Sequence, residues 1–183
     1  MTAVEGDSVH SSSGITYKNN NVIQREFEIS YKEDNSESNP NHFSTRNESL
    51  EKKKHPETGV PFEKLIVQMP NGEWIEGVFP KFTSYFDAQI PMKMYLDRDV
   101  VQFKECNKQL FEAVTKNPEL NEKFTDEQLE QIKDGLKDGT SPDGYTWHHD
   151  AEVGRIQLVD AEIHAKTGHN GGRSTWGCEK YNR

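Results

Sequence analysis

Tyr145-Thr146-Trp147-His148-His149-Asp150 leads into Gly154-Arg155-Ile156-Gln157-Leu158-Val159, then into Asp160 through Gly168, and on to His169-Asn170-Gly171-Gly172. Tyr145–His149 favours a strand. Ile156–Val159 favours its return strand, with Glu152-Val153-Gly154 near the turn. Asp160 is a good N-cap for a short helix that Gly168 would end. The order strand, strand, helix gathers four of the seven histidines: His148, His149, His164 and His169. Adjacent strand residues point to opposite faces, so His148 and His149 divide their tasks. One can bind a metal while the other faces a substrate. His164 lies one turn into the helix, and after Gly168 the chain can bring His169 back towards it. Three imidazoles around an open position suit a catalytic divalent metal. A structural zinc normally takes four protein ligands, usually with cysteine, and Cys178 is the only sulfur nearby.

The body that carries this unit begins near His55-Pro56. Lys64–Met69 reads as a strand, Pro70-Asn71-Gly72 as a turn and Glu73–Phe79 as a second strand, which together predict a hairpin. Phe79, Phe82, Tyr85, Phe86, Ile90 and Met94 follow in a proline-punctuated segment. They offer core packing, or base stacking as the alternative. Asp99 precedes a helix, with Gln102 three residues on as its capping-box partner. The helix buries a stripe of Val100, Phe103, Leu110, Phe111 and Val114, and Asn117-Pro118 stops it. Thr125 and Gln128 predict a second capping box, ahead of Leu129, Ile132 and Leu136, with Gly135 and Gly139 weakening the helix end. The fold class is therefore α+β: a small body of a β-hairpin and two or more helices, with the strand–strand–helix unit at about 144–177.

Residues 1–54 form a polar leader, partly disordered by composition. Residues 1–55 hold nine Ser and seven Asn. Weak alternation at Gly14–Tyr17 and Val22–Tyr31 allows one hairpin there. Lys52-Lys53-Lys54 reads as a solvated basic cluster.

Charge and composition narrow the function. The chain of 183 residues has 22 basic and 31 acidic residues, a net charge of −9. Residues 144–183 hold five of each sign, so the whole excess lies in residues 1–143. An acidic body repels nucleic acid, which leaves the neutral C-terminal end as a contact surface. The charge excludes a uniformly basic DNA coat. No apolar run approaches the ~18 residues of a membrane helix. The start of the chain is polar and acidic, unlike a secretory signal peptide. Two cysteines, Cys106 and Cys178, make no disulfide framework.

Gly144–Gly177 resembles the WHH-type nuclease toxin domains of the HNH (ββα-metal) superfamily, found at the C-termini of bacterial polymorphic and contact-dependent toxins. The resemblance is carried by Trp147-His148-His149, Gly154-x-x-Gln157-Leu158-Val159-Asp160, Ile163-His164 and Gly168-His169-x-Gly171-Gly172. His55-Pro56-x-Thr58-Gly59-Val60-Pro61-Phe62 and the Phe79–Pro91 segment extend it, and the leader before about residue 42 is outside it. The metal finger is also similar to that of nuclease colicins.

The resemblance implies roles. His148, His164 and His169 match the three metal ligands, and His149 matches the general base. Arg155 falls where the superfamily often has the asparagine that orients the loop carrying the base. Arginine there could hold a phosphate instead, as could Arg173. His164 and His169 are five positions apart, where the pattern has four.

The expected function is a metal-dependent endonuclease toxin, hydrolysing DNA with little sequence specificity in interbacterial competition. One divalent ion (Mg, Mn, Ni or Zn) is the only cofactor implied, with no small-molecule cofactor. The implied partners are DNA and a cognate immunity protein. The chain would be secreted, or delivered as part of a larger toxin, and act in the target-cell cytoplasm. A structural metal finger that binds nucleic acid or protein without catalysis is an alternative. A ribonuclease toxin, or an interaction module with incidental histidines, are others.

Overall fold

The structure is a computed structural model that describes residues 39–177. The possible strands at Gly14–Tyr17 and Val22–Tyr31 lie outside the described residues, as does Cys178. Cys106 is a free, buried thiol. The described chain is α+β, with two three-stranded sheets and several helices.

The first sheet is the expected hairpin with one added strand. Strands β2 (Phe62–Gln68) and β3 (Trp74–Pro80) pair antiparallel, with Gln68 opposite Trp74 and Phe62 opposite Pro80. Gly72 makes the turn at φ +88°, a conformation that favours glycine. A short strand β1 (Asn41–His42) runs parallel to β3.

The second sheet has the order β4-β6-β5, all antiparallel, in strands β4 (Ser84–Gln89), β5 (Tyr145–His149) and β6 (Arg155–Asp160). Central β6 is covered on both faces, which buries Ile156, Gln157, Leu158 and Val159 in succession. β4 is the strand hidden in the proline-punctuated segment. Its outward residues Tyr85, Asp87 and Gln89 alternate with the inward Phe86 and Ala88, the pattern of a half-buried edge. Proline on both sides and a small inward Ala88 mask that alternation in the sequence.

Helix α1 (Asp99–Lys116) and helix α3 (Asp126–Asp138) pack together, joined through the short α2 (Pro118–Asn121). The capping box at Thr125 and Gln128 forms as expected, with both reciprocal bonds present. The box expected at Asp99 and Gln102 does not form. Arg98 is the N-cap and gives no side-chain bond. The Asp99 carboxylate pairs instead with Arg173 at 2.9 Å. Gln102 turns inward, where competing partners take its amide.

The main core gathers Ala88, Ile90, Cys106, Leu110, Val114, Phe124, Ile132, Trp147, Ile156, Leu158 and Trp176. The core-packing alternative thus holds for Phe79, Phe82 and Ile90, all buried, while Tyr85 remains at the surface. A second cluster of Val60, Phe62, Val78, Phe82 and Val159 joins the two sheets.

Residues 39–54, assigned to the leader by composition, pack on this body. Thr45 is buried and its hydroxyl donates to Val78 O at 2.7 Å. The Asn47 amide donates to Thr167 O and Gly168 O, and Arg46 N–H donates to Asn170 Oδ1 at 2.6 Å. This segment therefore fixes the chain around His169.

Buried Asn107 ties α1 to both its neighbours. Its amide donates to Gly135 O and Thr140 O, and its Oδ1 accepts from the Trp147 indole at 3.2 Å. A side chain at Gly135 would run into Asn107 and Thr140. Asn107→Leu leaves the Trp147 N–H buried without a partner, at a cost of about 1–3 kcal/mol. We expect a Tm lowered by roughly 2–4 °C per kcal/mol in calorimetry. An unchanged Tm would show that the network does not contribute.

Candidate metal centre

The geometry begins with the alternation along β5. His148 and His149 are both about 4% exposed, yet they lie in different surroundings. His148 faces His164 and His169. His149 faces α1, with the rings of Phe103 and Trp176 at 5.5 and 5.3 Å.

Helix α4 (Ala161–Thr167) supplies His164. Its N-cap is Asp160, whose Oδ1 accepts from Ile163 N–H at 2.8 Å. Gly168 ends the helix at φ +49°. The chain then returns, so the longer spacing to His169 still brings that ring to His148. His164 Nε2 and His169 Nε2 lie 3.3 and 3.2 Å from His148 Nδ1. One nitrogen from each ring falls within 4.8 Å of the others, an arrangement that could hold a metal ion. Phe82 backs all three rings, with centroids at 4.8, 5.3 and 5.0 Å.

Tight backbone packing supports the cluster. A side chain at Gly171 would meet His149 O and the His148 ring, and one at Gly172 would overlap Asp150 O and the Trp176 indole. The Trp176 indole N–H donates to that same Asp150 O at 2.8 Å. Helix α5 (Gly172–Thr175) starts here and carries Arg173.

The three converging imidazoles line one open cavity with His149, Asp99 and Arg173. Burial keeps all four histidines neutral, the form in which nitrogen ligates a metal or accepts a proton. The pKa of His148 falls well below the usual imidazole value, through burial and then the neighbouring His169 and His164. Burial and then Arg173 lower His149 to about 4. Burial, then His164 and Arg46, lowers His169 to about 3. Burial lowers His164 as well. The donor set fits a borderline divalent ion: three neutral nitrogens with an open side.

The two arginines differ. Arg173 reaches the cavity, about half exposed, and pairs with Asp99. Arg155 does not line it. Its guanidinium is held by Glu152 at 2.9 Å, Asp87 at 3.5 Å and Asp150 at 3.9 Å. Asp150 also accepts from Glu152 N–H at 2.9 Å, so the β5–β6 turn closes around Arg155.

Three residues at the centre were not identified as site residues from the sequence. Asp99 anchors Arg173. Arg46 is exposed, lies beside Gly168 and has no carboxylate partner among the described residues. Gln102 is fully buried, with Oε1 2.6 Å from His149 Nε2. Gln102, Cys106, Leu110 and Val114 recur every four residues on the buried face of α1. A glutamine in such a row is the signal that could have marked it.

These shifts set a pH dependence. The unfolded chain takes up histidine protons near 6.5, while the fold resists them down to about 4 at His149 and about 3 at His169. The unfolded state thus binds more protons below 6.5, and stability falls as pH drops through that window. Asp99 and Asp150, pushed up by burial, act in the opposite sense nearer the carboxylate range. Denaturant unfolding in chelator should give a lower midpoint at pH 5 than at pH 8. Equal midpoints would contradict the neutral, buried state of these rings.

A family model described as the DNase/tRNase domain of colicin-like bacteriocin matches residues 71–171, which is 101 of the 183 residues. The matched span includes His148, His149, His164 and His169. Neither the curated proteins nor the solved structures gave a match.

Proposed function

The chain belongs to the DNase/tRNase family of colicin-like bacteriocins, a family of nuclease toxins, and from that premise we propose that it is a metal-dependent endonuclease of the HNH, WHH type, hydrolysing DNA with little sequence specificity. The observation that carries this reading is the convergence of three ring nitrogens within 4.8 Å beside a neutral, buried fourth histidine.

His148, His164 and His169 would hold one divalent ion, of Mg, Mn, Ni or Zn. Such an ion supplies Lewis-acid stabilisation of charge on the phosphate and the leaving oxygen. His149 accepts the proton of the attacking water. It is unprotonated at pH 7, and the negative phosphodiester beside it favours the imidazolium that proton transfer creates. Arg173 donates to the phosphate oxygens, and Asp99 holds it at the cavity mouth. Arg46 adds a second positive group near His169. Arg155, tied to three carboxylates, takes the loop-orienting task of the asparagine it replaces rather than a phosphate contact.

DNA is the favoured substrate on chemical grounds. RNA can be cleaved by its own 2′-hydroxyl, whereas DNA must be hydrolysed by an external nucleophile. A general base next to metal-suited ligands serves the second case. The family description also covers tRNases, so RNA is the other target to test. As a bacteriocin-type toxin the chain would serve interbacterial competition, delivered as part of a larger toxin or by a dedicated route to the target-cell cytoplasm. A cognate immunity protein would protect the producer. Among the described residues no helix is long and apolar enough to cross a membrane.

Chelator-stripped protein, resupplied with each metal in turn, should nick plasmid DNA. His149→Ala should lower the rate by a factor of about 10²–10⁴ while retaining metal. His148→Ala should lose both metal and cleavage. Cleavage of total RNA with plasmid left intact would change the target. Intact plasmid and RNA with every metal, from folded protein, would overturn the enzyme reading in favour of a structural finger.

A further inference from the structure

We infer that Gln102 is a positioning residue that locks His149 as the Nε2–H tautomer, so that the Nδ1 lone pair is the basic atom presented to the cavity. The inference rests on the assignment of His149 as the base and extends it to a particular nitrogen.

Donors and acceptors around Gln102 can be counted in full. Gln102 Nε2 lies 2.8 Å from Met94 O and 2.9 Å from Tyr95 O. Both partners are backbone carbonyls, which only accept. The atom facing them must therefore be the amide nitrogen, and both its N–H bonds are used. This removes the ambiguity of amide orientation that ordinarily attends a glutamine. The opposite arrangement would set the amide oxygen against two carbonyl oxygens in a fully buried place.

The remaining atom, Oε1, is then an acceptor, and it stands 2.6 Å from His149 Nε2. A neutral imidazole has one donor and one acceptor nitrogen. Nε2 must be the donor, which leaves the lone pair on Nδ1. No hydrogen bond from Nδ1 occurs among the described residues, and His149 lines the cavity that holds His148, His164 and His169. The geometry also restrains the ring. Phe103 and Trp176 pack around it, and the Gln102 bond fixes its rotation.

Met94 and Tyr95 stand just before α1, and their carbonyls orient the glutamine. The chain segment 94–102 is thus a small device whose output is one tautomer at β5. It is a carboxamide counterpart of the carboxylate that orients a catalytic histidine in other hydrolases, without placing a further charge in the buried site.

The test reads the tautomer directly. Nitrogen-15 NMR of histidine-labelled, zinc-loaded protein distinguishes protonated from bare ring nitrogens. The wild type should show His149 protonated at Nε2 alone at pH 7. Gln102→Met keeps the shape and removes the acceptor. It should give a mixed or Nδ1–H tautomer, with kcat lowered about tenfold to a hundredfold and KM and zinc stoichiometry unchanged. Gln102→Glu, kept protonated by burial against the two carbonyls, donates to one of them and still accepts from His149, so it should recover the Nε2–H signal. A wild-type His149 carrying its proton on Nδ1 overturns the inference even if the variants fail to fold. A Gln102→Met protein with wild-type kcat overturns it too. The NMR result stands whether or not the protein cleaves DNA, so failure of the tautomer and failure of the nuclease reading are told apart.

Discussion

Two adjacent histidines on one strand cannot face the same way, and the arrangement of the whole site depends on that constraint. β5 turns His148 to one side and His149 to the other. On the first side the strand–strand–helix unit returns His164 and His169 to His148. On the second, α1 lies against His149 and supplies Gln102. The proposed base and the first of the proposed ligands are neighbours in sequence and are kept apart by the backbone itself. Pairing with β6 fixes β5, with His148 opposite Gln157 and His149 opposite Ile156. A shift of one residue would exchange the two histidines, and the buried Trp147 and Leu158 make that shift costly.

The rest of the fold holds this strand in place. Asn107 bonds the Trp147 indole from α1, and the Trp176 indole donates to Asp150 O just after β5. Phe82 closes the back of the triad. Burial has two consequences here. It keeps the imidazoles unprotonated, as metal ligation and general-base catalysis require. It also makes the fold vulnerable to acid, because the unfolded chain gains protons that the folded one refuses. Stability is given up where the chemistry needs neutral nitrogen.

Much of the strand–strand–helix unit was legible because its signals are local. Asp160 and Gly168 bracket α4 as cap and stop, and the strand Tyr145–His149 lies where β-propensity puts it. The hairpin announced itself through Gly72, and the second capping box through Thr125 and Gln128. The failures are cases where a distant partner outcompetes a local rule. Gln102 suits a capping box three residues after Asp99, yet His149 and two carbonyls claim its amide, while Arg173 claims Asp99. β4 was missed because its alternation is short and flanked by proline. Arg46 and Asn47 lie in a polar stretch whose composition resembles that of a flexible tail. Their order comes from bonds to residues more than a hundred positions away. From the sequence Arg155 could orient the loop or hold a phosphate, and two of its three carboxylate neighbours, Asp150 and Glu152, lie within five residues of it.

His148, His164 and His169 are proposed to act together as one metal site. X-ray absorption spectroscopy on protein loaded with one equivalent of zinc tests it most directly. The expected result is stoichiometric zinc with three imidazole nitrogens in its inner shell and the remaining position filled by a non-protein oxygen. Zinc bound by fewer than three imidazoles, or by a full set of four protein ligands, would contradict it.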